Sequence, residues 1–139
     1  MPAKNVFHDL VVNALIADGW VITADPLRLK AGNRDLYVDL GAERNMLAAE
    51  RNGERIGVEV QSFVGASEVR NLQEALGQFL MYRLLMVEQY PDHRLFMAVP
   101  NEAYDGILSE RLGRLVIGEM AVPLLVFDPN RQEALKWIK

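Results

Sequence analysis

The stretch IGVEVQSF, residues 56–63, decides how this chain is read. It is short and rich in β-branched residues, the signature of a strand. Strand side chains alternate between faces, so Val58 and Val60 point one way while Glu59 and Gln61 point the other. Two long polar groups on one face of an otherwise apolar strand need a reason. Upstream, DLYVDL (35–40) alternates in the same way, with Leu36, Val38 and Leu40 on one face and Tyr37 and Asp39 on the other. If the two strands are neighbours, Asp39 and Glu59 meet on one face near the strand ends.

The rest of the chain fits around that pair. Residues 4–18 place Phe7, Leu10, Val11, Ala14 and Leu15 on one helical face, and Gly19 ends the helix. WVITAD is a short strand closed by Pro26, and LRLKAGNRD is turn-rich around Gly32 and Asn33. Asn52-Gly53 is a hairpin signal between a segment at 46–49 and the strand of Glu59. Ser67 caps a long helix over 68–89, with Val69, Leu72, Leu76, Phe79 and Leu80 as its apolar stripe and Pro91 as its stop. RLFMAVP (94–100) and VPLLVF are buried strands separated by one or two helices. DPN is a turn, and EALKWIK returns as a terminal strand. Hairpin-like strands followed by strand–helix–strand crossovers predict an α/β chain with a mixed central sheet and helices on both faces.

Composition narrows the chemistry. The 139 residues suit one domain, half of them hydrophobic and about a quarter charged. Cysteine is absent, which excludes disulfides, thiolate metal sites and thiol nucleophiles. The first residues carry no apolar run of signal-peptide length, and no run approaches a membrane span, so a soluble cytoplasmic protein with no membrane partner is expected. A net charge of −4 and a pI near 5.2 are unlike a general nucleic-acid binder, so contact with DNA needs a local patch or a partner. Arg28, Lys30 and Arg34 form one small basic cluster, readable as a phosphate contact or as a solvated loop.

Two carboxylates and a nearby backbone carbonyl are the hard oxygen donors that Mg²⁺ takes. Asp39 and Glu59 with the Val60 carbonyl therefore make a candidate divalent-cation site, and Gln61 is placed to orient a water or a phosphate. A D…ExQ pattern is short and common. A second reading stands beside the first: Asp39 caps a turn before Gly41, and Glu59 pairs with an arginine. On the long helix, Gln78 and Tyr82 are i,i+4 neighbours, either a polar wall of the same cleft or a solvated face.

The blocks DLYVDLGAE, AAERNGERIGVEVQSFVGASEV and ALGQFLMYR, with the opening FHDLVVNALIADGWVITADPL and the late FMAVPNEAYD, resemble the XisH family. These are the excision-controlling factors of the cyanobacterial fdxN element. The resemblance spans nearly the whole chain, 1–139, and implies a single restriction-endonuclease-like domain. The signature of those nucleases is a D…(D/E)xK pair of strands. On that template Asp39 is the first acidic ligand, Glu59 the second, and Gln61 stands in the lysine position. Gln78 and Tyr82 resemble the QxxxY motif of RecB-type nucleases. His8 and Asp9 fall on the first helix, where some relatives place a further acidic ligand.

Two functions follow from the resemblance. One is a Mg²⁺-dependent DNA endonuclease using Asp39, Glu59, Gln61, Gln78 and Tyr82, with Gln61 departing from the usual lysine because it carries no charge and is a poor base. The other is a non-catalytic accessory factor that binds DNA or a companion protein of the XisI type, alongside a site-specific recombinase. Homo-oligomerisation is left open by the sequence.

Overall fold

The long helix forms where its sequence places it. In the computed structural model, which describes residues 6–44 and 53–139 (the side chains of 132–134 excepted), α2 runs Glu68–Gln89. The Ser67 side chain accepts the Arg70 N–H at 3.2 Å, satisfying one of the helix's free donors. The first helix, α1, is His8–Ala17. Gly19 closes it with φ +94°, a conformation that favours glycine.

Among the described residues six strands make the main sheet, in the order β1 (Val21–Ala24), β4 (Leu40–Arg44), β5 (Glu54–Val60), β6 (Arg94–Pro100), β7 (Leu124–Asp128) and β8 (Arg131–Ile138). The two central pairings, β5 with β6 and β6 with β7, are parallel, and the outer three are antiparallel. Parallel neighbours need crossovers. Here α2 links β5 to β6. A second crossover of α3 (Asn101–Asp105), a 3-10 turn (Ile107–Ser109) and α4 (Arg111–Glu119) links β6 to β7. The mixed α/β sheet with helices on both faces is as the sequence predicts.

Each face of the sheet has its own core. On one side, Val11 and Leu15 of α1 and Trp20 pack on Leu40, Ile56, Val58, Val60, Phe96, Ala98, Leu125 and Phe127. On the other, Leu72, Ala75, Phe79 and Met86 of α2 pack on Leu95, Met97, Val99, Leu124 and Val126. Gly57 sits on this second face, where a Cβ would come within 2.8 Å of Met86 Cε, so glycine lets α2 lie close to β5.

Two expectations are corrected. Residues 35–40 are not one strand. They divide at Asp39 into β3 (Arg34–Val38) and β4, which belong to different sheets. Val38 therefore packs on the α2 side and Leu40 on the α1 side, opposite faces rather than one. The turn-rich stretch before it also holds a strand: β2 (Leu27–Ala31) pairs with β3 in a two-stranded hairpin, and Gly32 turns it with φ +62°. The segment 46–49 and Asn52 lie outside the described residues, although β4 and β5 do pair antiparallel on either side of them.

The buried line of α2 also differs from the expected stripe. Val69 is exposed and Leu80 half-buried, while Ala75 and Met86 are buried. The helix carries apolar residues on two sides, and propensity cannot say which side the sheet will cover. Phe79→Ala is expected to cost about 3–5 kcal/mol and Val69→Ala less than about 0.5 kcal/mol in urea unfolding. Equal losses would put the buried face of α2 elsewhere.

Candidate functional site

The β4–β5 ladder ends at the pair Leu40–Val58. One step further, Asp39 and Glu59 stand opposite each other, where a strand pair brings side chains closest. Their carboxylates take over the bonding that the ladder abandons. Asp39 Oδ2 accepts the Val60 N–H at 2.7 Å, and Glu59 Oε1 accepts the Asp39 N–H at 3.1 Å. The division of 35–40 at Asp39 is what turns its carboxylate toward β5.

Glu59 is only 6% exposed, and no arginine or lysine pairs with it or with Asp39 among the described residues. The arginine-paired reading of Glu59 is thereby set aside. Burial, and then the adjacent Asp39 charge, push the Glu59 carboxyl up to about 9. Burial also raises Asp39, against the Val60 N–H and a hydrogen bond from Glu59 that favour its ionised form. Both carboxyls are thus held toward their protonated forms, Glu59 chiefly by its burial.

Gln61 and Gln78 are brought together: Gln61 Nε2 donates to Gln78 Oε1 at 2.7 Å. The Gln61 backbone N–H bonds the Ala98 carbonyl at 2.8 Å and extends the β5–β6 ladder. Tyr82, one turn further along α2, is half-buried. Burial first, then the charges of Glu59 and Asp39, raise its phenol above the ordinary value of 10. All five side chains singled out from the sequence therefore line one region, where β5 faces α2.

Two further groups join them. The pairing of Ala24 with Gly41 carries Asp25 to the side of Asp39, whose carboxyl it raises further. His8 is 3% exposed, with Nε2 2.8 Å from Asp25 Oδ1 at an angle too poor for a hydrogen bond, and Nδ1 has no partner. Asp9 is exposed and points away from the core. Nothing in the sequence around Asp25 marks it, because its place depends on the register of β1 on β4.

Among the described residues, no group of three or more His, Asp or Glu side chains is arranged to hold a metal ion. An ion here would rest on Asp39, Glu59 and backbone oxygen. That donor set is of the kind Mg²⁺ takes, since Mg²⁺ keeps much of its water and needs one or two carboxylates.

The XisH protein family matches over residues 1–135. The chain belongs to the XisH family. An XisH family protein of known structure from Nostoc punctiforme is 36% identical, with a TM-score of 0.86 over 97% of this chain and 100% of that one. A fdxN element excision controlling factor protein from Anabaena variabilis is 37% identical, with a TM-score of 0.85 over 98% of this chain and 100% of that one. No functionally curated protein matches. Among the described residues of this XisH chain, no helix is long and apolar enough to cross a membrane.

A carboxyl with a raised value in the fold binds a proton that the unfolded chain releases. Stability therefore falls as pH rises from Glu59's ordinary value of 4.5 toward about 9. Glu59→Gln keeps the shape and removes the proton. Thermal melts from pH 5 to 9 are expected to show the wild type losing stability toward alkaline pH and the variant losing clearly less. Parallel curves would show that Glu59 is ionised in the fold.

Proposed function

We propose that this XisH chain acts in controlling the excision of a DNA element, the activity that the Anabaena variabilis protein carries in its name, and that it does so through a divalent-cation site on a restriction-endonuclease-like sheet. The observation that carries the reading is the Asp39–Glu59 pair: a half-buried and a buried carboxyl, face to face, with no arginine or lysine paired to them among the described residues. Like charges are held together at a cost unless something positive separates them. A divalent cation between the two would do so.

Asp39 and Glu59 would hold Mg²⁺, with the Val60 carbonyl as a further ligand. Bound there, the ion would polarise a phosphodiester and lower the pKa of a bound water. Gln61, neutral at every pH, orients such a water by hydrogen bonding and does not deprotonate it. Tyr82 stays protonated at neutral pH and serves as a donor to a phosphate oxygen. Gln78 holds the Gln61 amide in place.

A second reading has one observation of its own. The Gln61 amide donates to Gln78, and no lysine or arginine pairs with the carboxylates among the described residues. A site without a positive charge suits a module that binds DNA or an XisI-type companion protein and leaves strand cutting to a site-specific recombinase.

Titration calorimetry separates the two. The wild type is expected to bind Mg²⁺ or Mn²⁺, and Asp39→Asn and Glu59→Gln each to weaken binding at least about tenfold. The ion-loaded wild type is then expected to cut branched or linear DNA. No binding, with or without the companion protein, would leave only the second reading.

A further inference from the structure

Helix α2 has two apolar sides, and the fold buries one of them. Opposite the buried line, Gly77, Leu80, Leu84 and Val87 recur at intervals of three, four and three residues, the spacing of a coiled-coil seam. Leu84 is 71% exposed, Val87 67%, and Met81 beside them 56%. Leu80 is half-buried. Gly77 has nothing within 4 Å of the place a Cβ would take, so another backbone has room to approach. Contiguous apolar side chains of this size along one helix face mark an interaction surface.

The charges beside the seam select the occupant. With Gly77 and Leu84 at the first seam position and Leu80 and Val87 at the second, the flanking positions hold Leu76 and Arg83 on one side and Met81 and Glu88 on the other. In a parallel two-fold pair, each residue of the first flank faces the second flank of the other copy five residues on. Leu76 then meets Met81, an apolar pair, and Arg83 meets Glu88, an ion pair, and both contacts occur twice. Within its own chain Arg83 also donates hydrogen bonds to the Met120 and Ala121 carbonyls at 2.8 and 3.0 Å. An antiparallel pair that overlays the same apolar residues brings Glu74 alongside Glu88 at both ends, which is repulsive. The surface is complementary to itself in one orientation, as an isologous interface requires.

We propose that XisH chains of this sequence dimerise through α2, with the two helices parallel about a two-fold axis. The apolar seam is short, two heptads, so a dissociation constant on the order of micromolar is expected.

The absence of cysteine from the chain makes the test clean. Equivalent seam residues of a parallel pair face each other within disulfide reach. Leu84→Cys and Val87→Cys are each expected to form covalent dimers under mild oxidation at least about tenfold faster than Leu112→Cys, an exposed control on α4. Cross-linking at only one seam position would overturn the parallel pairing, and rates no faster than the control would overturn the interface. Sedimentation equilibrium gives the second measurement. The wild type is expected to dimerise with concentration, and Leu84→Glu to stay monomeric and to melt where the dilute, monomeric wild type melts, because Leu84 stands in water in the monomer. A wild type that remains monomeric at every soluble concentration would overturn the proposal.

Discussion

The two reciprocal hydrogen bonds between Asp39 and β5 tie fold and site into one arrangement. The sheet ladder stops at Leu40 and Val58, and beyond it the backbone donors of Asp39 and Val60 have no strand partner of the usual kind. Buried N–H groups must be satisfied. The carboxylates of Glu59 and Asp39 do it. Because the same atoms that close the sheet form the candidate ligand pair, the pair is held rigidly, and it is held at low dielectric. That burial raises both carboxyls.

Strand β5 can carry this arrangement because of where it lies in the sheet. It pairs antiparallel with β4 and parallel with β6, so it is one of the two strands, with β7, at which the sheet changes between antiparallel and parallel pairing. Its Ile56, Val58 and Val60 face α1, while Gly57, Glu59 and Gln61 face α2. Glycine at 57 brings the helix close, and the helix meets the two polar groups with Gln78 and Tyr82. The polar alternation in IGVEVQSF is thus the point where an apolar interface between helix and sheet gives way to a polar cleft.

Helix α2 connects this cleft to the exterior. Its buried line anchors it to the sheet, its polar side lines the cleft, and its outer apolar row faces water. A partner bound on that row would touch the helix that carries Gln78 and Tyr82. Around the carboxylates stand Asp25 and the buried His8, and Arg28 of the hairpin, Arg44 of β4 and Arg55 of β5 are each paired with acidic partners of their own. Any phosphate brought here meets an acidic centre, which needs a cation from elsewhere to be neutralised.

Local chemistry made much of this legible in the sequence. Capping and breaking residues marked α2 to within a residue, Gly19 marked the end of α1, β-branched alternation marked β5, and continuous apolar runs marked β6 and β7, because each of these signals acts over a few neighbouring residues. Alternation also placed Glu59 and Gln61 on one face, and helical spacing paired Gln78 with Tyr82. The break at Asp39 was not legible. DLYVDL alternates perfectly as one strand, and only the competition between the hairpin with β2 and the ladder with β5 divides it. The buried side of α2 was likewise undecided, since both sides are apolar and the choice depends on what packs against them. Asp25 and His8 joined the carboxylates through strand register and helix docking, which no local pattern encodes. The sequence by itself determined the elements and the polar residues on each. Tertiary structure decided which of those residues meet, because proximity between distant segments is set by the packing of the whole sheet and its helices.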